Sequence, residues 1–290
     1  MAKWVLLGLG LAAGLFALGL SSGSYPIPLS QVWQVLWQGQ GDSPASTVIW
    51  QLRLPRLLLA ILVGAALSAA GAAFQSLLRS PLADPYLIGT SAGASLGTAL
   101  SVVLGLATYL QPAMAFLGAL ASVWLVMRLS RAHRVLYLED FLLAGVMVST
   151  LLGSLVSVLL IWAGQDLAKL VFFLLGNLGQ SSWSHLYSST LPFAVGLALL
   201  AWNAYSLNLL SLGEEFSAPA GVDVEAVKRQ VLLAATLLTA SAVSAAGLVG
   251  FVGLVIPHLC RLWVGPDLRR LLPLSFLWGA TFLMGCDQLA

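Results

Sequence analysis

The chain has 290 residues, 59% of them hydrophobic and 8% charged, with a formal net charge of +2 and a mean hydropathy of +0.95. A soluble domain carries about 25% charge, so most of this surface must face lipid or other buried helices. The charge is too small to imply a nucleic-acid partner, and Cys260 and Cys286 sit in apolar segments, as buried hydrophobes rather than a disulfide or metal framework.

A helix needs about 20 apolar residues to cross the hydrocarbon. Residues 4–20 form the first span; SSGSYP, which follows, lacks a small-x-small cleavage pattern, so the span reads as an uncleaved helix and not a signal peptide. A polar, proline-containing loop runs to about Leu54, and Leu57 to Leu78 forms the second span. Residues 86–127 hold no charge but are too long for one crossing, and Gln111-Pro112 divides them into the third and fourth. A polar turn with Arg128, Arg131, His133, Arg134, Glu139 and Asp140 leads to the fifth, Phe141 to about Ala163. The run 170–213 is interrupted by GNLGQSSWSH (176–185), which puts the sixth span at Leu186 to Leu207. After the polar segment SLGEEFSAPAGVDVEAVKR (211–229), residues 230–260 divide near Gly250 into a seventh helix and a shorter eighth, FVGLVIPHLCRLW; a ninth starts near Leu271. The fold class is therefore all-α, a polytopic bundle forming one transmembrane domain over 1–290.

The positive-inside rule tests this layout. With the N-terminus inside, Lys3, Arg79, Arg128, Arg131, Arg134, Lys228, Arg229, Arg261, Arg269 and Arg270 are cytoplasmic, and Arg53, Arg56 and Lys169 are outside. Small residues four apart let helices approach closely in lipid, where the hydrophobic effect does not drive association. Three such faces are present: Gly89/Gly93/Gly97, Gly64/Ser68/Ala72 and Gly145/Ser149/Gly153.

Gly89-Thr90-Ser91-Ala92-Gly93 matches the G-x-S-x-G of a nucleophile elbow. That reading, an intramembrane serine hydrolase using Ser91, needs a histidine and a carboxylate in support. Of His133, His185 and His258, only His258 lies at the same membrane end, and the elbow's preceding strand is missing. No catalytic residue is assigned on this ground, and no cofactor or metal ligand set either. The lysines, Lys3, Lys169 and Lys228, do not fit a phosphate-binding loop, so any ATP must be bound by another subunit. Ion pumps keep titratable groups inside their spans; here Asp287, in the ninth, is the exception. This favours a wide passive path powered from elsewhere. Residues 208–229 then stand out. Leu209, Leu210 and Leu212 precede Glu214 and Glu215, and Gly221-Val222 precedes Asp223, which can cap the next span: a short amphipathic helix suited to a partner's groove.

Several segments together resemble the FecCD-type permease subunits of ABC importers for iron chelates (siderophores), haem and cobalamin. These are WQLRLPRLLLAILVGAALSAAGAAFQSLLRSPLADPYLIGTSAGASLG (50–97), LLAGV (142–146), LLGNLGQSSW (174–183), LGEEFSAPAGV (212–222) and GLVGFVGLVIPHLCRLWVGPDLRRLLPLSFLWGA (247–280). The cobalamin branch looks nearest, around 49–97 and 247–280. The resemblance implies a permease of the bacterial inner membrane, paired with a second permease chain (a homodimer or a heterodimer), two cytoplasmic ATPases and a periplasmic binding protein. It implies ATPase coupling through Leu212, Gly213, Glu214, Glu215, Gly221, Val222 and Asp223, and docking of the binding protein on Arg53, with Arg56 nearby. It gives signature or packing roles to Gln75, Pro81, Asp84, Pro85, Gly89, Gly93, Gly97, Gly253, Pro257, His258 and Arg261. A permease for another metal or metal chelate is the alternative within transport. Two departures accompany it. Pro219 falls inside the coupling segment, which predicts an early end to its helix. The sequence stops at CDQLA, where the family continues into a tenth span, so nine of ten spans and a C-terminally truncated domain are expected.

Overall fold

In chain order the helices are α1 (Ala2–Ser21), α2 (Leu29–Gln38), α3 (Pro44–Thr47), α4 (Leu54–Leu77), α5 (Thr90–Val103), α6 (Gln111–Leu129), α7 (Leu138–Trp162), α8 (Leu167–Leu175), α9 (Trp183–Leu212), α10 (Glu214–Ser217), α11 (Val224–Ala246), α12 (Val252–Val264) and α13 (Leu268–Leu289). Between α6 and α7, Arg131–Ala132 and Val135–Leu136 pair antiparallel as a minimal hairpin. The computed structural model describes residues 1–290 except 42, 133, 134, 180, 218 and 220; at 131, 132, 135, 136 and 165 it describes the backbone alone. His133 and Arg134, expected in the polar turn, lie outside the described residues.

Each of the nine expected spans falls on a helix: α1, α4, α5, α6, α7, α9, α11, α12 and α13. Among the described residues, six helices are long and apolar enough to cross a membrane. α5 and α12 are apolar but shorter, about 20 Å each at 1.5 Å per residue, against about 30 Å of hydrocarbon. α13 has the length but carries Arg269, Arg270 and Asp287.

α4 is the hub. Beyond Arg56 it is mostly alanine, glycine and leucine, and 89% of the most apolar window of the continuous helix Pro44–Leu77 is buried. Small residues let two neighbours reach it at backbone distance. A Cβ on Gly64 would stand 2.2 Å from the Gly279 carbonyl oxygen of α13, and one on Gly71 would stand 1.8 Å from that of Gly253 on α12. The α5–α6 pair uses the same device: a Cβ on Gly93 meets the Gly118 carbonyl at 2.3 Å, and one on Gly97 meets that of Met114 at 2.1 Å. Gly89 does a different job from its neighbours on that expected face, starting α5 in the left-handed conformation at φ 86°. The third expected face is half present. Gly145 lies against the Leu87 carbonyl, but nothing approaches within 4 Å of a Cβ on Gly153. That glycine sits on an outward-facing part of α7, beside exposed Leu151 and Leu155.

α1 lies at the periphery, with 11% of its window buried. Aromatic packing pins its N-terminal end: Trp4 stacks on Trp263 at 4.3 Å, Trp263 meets Trp278 edge-on at 4.9 Å, and Trp278 Nε1 donates to the Trp4 carbonyl.

Helices also form outside the nine spans, in part where a polar loop is expected. Residues 21–54 hold α2 and a continuous helix from Pro44 through a wide π-turn, Val48–Arg53, into α4. The prolines that suggested a loop are compatible with it: Pro44 occupies a first helical turn, where its missing N–H costs nothing, and Ser43 Oγ accepts from Ser46 N at 3.1 Å. α8 was hidden by the Asp166–Lys169 pair, which is exposed at 2.7 Å and does not interrupt the apolar LVFFLL.

The backbone between α11 and α12 is not helical, and in hydrocarbon its polar groups need partners from the protein. It finds them. Leu248 N donates to the Phe173 carbonyl, and Asn177 N donates to that of Ala246 at 2.8 Å. The Tyr86 hydroxyl donates to the Val249 carbonyl at 3.1 Å and accepts from Val249 N at 3.3 Å. Phe251 then opens α12 at φ 66°.

Candidate functional site

The polar groups gather at the two ends of the bundle. At the end formed by the C-termini of α4 and α9 and the N-terminus of α11, the helix expected over 212–223 is short. α9 continues to Leu212, so Leu209, Leu210 and Leu212 belong to the long helix, and α10 covers Glu214–Ser217 alone. Gly213 (φ 140°) and Gly221 (φ 79°) make the turns on either side, conformations that favour glycine. Glu215 is exposed and Glu214 half-exposed. Asp223 caps α11, its Oδ1 accepting from Ala226 N at 3.0 Å, and Val222 N donates to the Ser217 carbonyl.

Three basic or polar side chains that the sequence did not single out hold this end together. Lys228 Nζ lies 2.9 Å from Glu214 Oε1 and 3.0 Å from Glu225 Oε1. Arg79, itself at φ 49°, donates to the Leu210 carbonyl at 2.9 Å, serving the carboxyl end of α9. Asn208 receives the start of α13, accepting from Leu268 N and donating to Asp267 Oδ1. Of these, only the Glu225–Lys228 spacing of three residues was a readable signal.

At the opposite end, both candidate docking arginines are bonded within the chain. Arg53 donates to the carbonyls of Leu20 and Tyr25, closing the exit of α1 onto the start of α4. Arg56 grips Asp287 with Nε and Nη2 at 2.8 to 3.0 Å. Asp287, read as the one charge in a span, is this arginine's partner. Its side chain is 7% exposed against 41% for Arg56, so the pair is half in water.

The signature residues divide into groups. Gln75, Pro85, Gly253 and Arg261 meet where the C-terminal half of α4 crosses α12 and the turn Pro85–Ile88. Gln75 Nε2 donates to the Leu254 carbonyl at 2.9 Å, Arg261 Nη2 donates to Ser76 Oγ at 3.1 Å, and Pro85 packs against Gly253. Pro257 is buried inside α12. Pro81 is exposed in the preceding turn. Asp84 Oδ1 accepts from Tyr86 N at 2.7 Å; burial lifts its carboxyl above the ordinary carboxylate range, and that N–H pulls the other way.

The nucleophile relay is not assembled. His258 Nδ1 is buried without a hydrogen-bond partner, and Ser91 lies in the first turn of α5, where its carbonyl accepts from Ser95 Oγ. A glycine turn precedes the serine, not a strand. Among the described residues no group of histidine, cysteine or acid side chains could hold a metal ion.

Residues 11–290 match the FecCD transport family. The chain is 42% identical to the ABC transporter permease protein YvrB of Bacillus subtilis (strain 168), over 98% of this chain and 84% of that one. It is 40% identical to the hemin transport system permease protein HmuU of Yersinia pestis, over 90% and 80%. To the cobalamin import system permease protein BtuC of Halobacterium salinarum it is 38% identical, over 94% and 75%. Among solved structures it resembles an inward-facing conformation of a metal-chelate type ABC transporter, with a TM-score of 0.89 and 31% identity over 100% of this chain and 90% of that one.

Proposed function

The chain belongs to the FecCD transport family, the permease subunits of ABC importers, and from that premise we propose that it passes a preassembled metal chelate (an iron-siderophore, haem or cobalamin) through the bacterial inner membrane. It is a transport subunit and not an enzyme. The observation that carries the substrate class is the absence of charge from 57–78, 86–127, 141–163, 170–213 and 230–260. A bare cation would need carboxylates or carbonyl cages along its way. A chelate hides its metal inside an organic shell and asks of the path only width and slipperiness.

In this reading the N-terminus and the α10 end are cytoplasmic, as the ten-to-three distribution of basic residues favours. Two permease chains enclose the path, and the exposed apolar side of α7 (Leu143, Met147, Leu151, Leu155) is the surface available for pairing. Two ATPases dock on the coupling segment Leu212 to Asp223, and a binding protein docks at the end of Arg53 and Arg56, whose outer edges stay accessible. The test is reconstitution of the chain with its ATPase and binding protein in proteoliposomes loaded with ATP. Parallel uptake assays with radiolabelled ferric siderophore, haem and cobalamin should give ATP-dependent accumulation of one of them. Accumulation of none of the three, under conditions where ATP is hydrolysed, overturns the substrate class.

A further inference from the structure

The coupling segment is a poor lever by itself. α10 is four residues long and has glycine turns at Gly213 and Gly221. A push on such a piece would be absorbed by its hinges unless something fastens it to a helix that goes somewhere. We propose that Lys228 is that fastening: a positioning residue that locks α10 to α11 so that movement of the coupling segment becomes movement of the whole helix.

The burial pattern supports the role. The Lys228 side chain is 3% exposed, while Glu214, which it holds, is 49% exposed and Glu225 27%. The ammonium is thus turned inward from α11, and the acid reaches back from the protruding segment to meet it. Withdrawing Glu214 would leave the buried ammonium with Glu225 as the acid beside it, a loss of neutralisation in a desolvated place, so the contact resists separation more than one between two solvated side chains would. Arg79 secures the other side of the hinge by its bond to the Leu210 carbonyl, three residues before Gly213. α11 then runs 23 residues to Ala246, packing on α9, α4 and α6. Its far end is joined to the end of α8 through Asn177 N to the Ala246 carbonyl and Leu248 N to the Phe173 carbonyl. Lys228 is therefore the first link between a cytoplasmic docking segment and a short helix at the opposite end of the bundle.

This inference rests on the permease reading, and its test separates the two. In proteoliposomes containing the complete importer, the quantity read is substrate transported per ATP hydrolysed. Glu214→Gln is the principal variant, because Lys228 keeps Glu225 and the fold keeps its buried pair. The ratio should fall about tenfold, within the usual range for coupling between sites. Lys228→Met should lower it similarly, and Lys228→Arg should keep most of it. A ratio equal to wild type in Glu214→Gln overturns the proposal, and so does a loss confined to the amount of assembled transporter. Absence of ATP-driven transport by the wild-type complex would instead overturn the permease reading.

Discussion

At the scale of single residues, the ion pair of Arg56 and Asp287 ties α4 to α13. Arg56 and Asp287 are both plain to see, one before the second span and one late in the ninth. Their pairing across 231 positions is a product of how α4 and α13 lie together, which no local pattern encodes. The lone charge expected at Asp287 is in fact paired, while docking at Arg56 stays a separate proposal, compatible with a guanidinium that is 41% exposed. The geometry predicts that Asp287→Asn lowers stability in detergent by about 1 kcal/mol, a modest figure because Arg56 remains partly in water. It should leave affinity for the binding protein unchanged, as Asp287 is nearly buried. Thermal unfolding and a binding titration on the same preparation check this; weaker binding with unchanged stability would make the pair part of the docking surface.

At the scale of elements, hydropathy located the nine expected spans on helices, since lipid requires long charge-free runs and tolerates few alternatives, but it missed some ends: α5 stops at Val103, well before the Gln111 break, α9 runs on to Leu212 and α11 starts at Val224. It failed where tertiary structure supplied what the local sequence lacked. α8 carries a lysine in its first turn and is only nine residues long. α2 is shorter than any span and buries Val32 and Val35 while Trp33 and Trp37 remain exposed. The link between α11 and α12 is the clearest case. Nothing in GLVGF announces that a tyrosine 163 residues away will satisfy Val249. Tyr86→Phe keeps the ring and removes both bonds, leaving a peptide group unpartnered in an apolar setting. A loss of about 1–3 kcal/mol is expected, together with faster hydrogen exchange confined to residues 247–251. Exchange identical to wild type there would show that another group satisfies Val249.

At the scale of the whole molecule, the basic residues predict one orientation. In a variant with Cys286→Ser, a cysteine at 169 should react with an impermeant maleimide in intact cells, and one at 128 only after permeabilisation. The reverse pattern would invert the topology and move the coupling segment to the wrong side. The sequence yields a definite orientation to test because charge asymmetry acts on all the loops at once; the shape of the core was not legible, because it depends on which glycines meet. Those meetings have a consequence for how the protein can change. What Gly64, Gly71 and Gly97 meet first is a carbonyl oxygen, a group that every amino acid carries. A side chain gained at one of them cannot be accommodated by trimming the residue opposite. Second-site suppressors of such a substitution should therefore never map to the facing position, and would have to arise where an entire helix can be shifted.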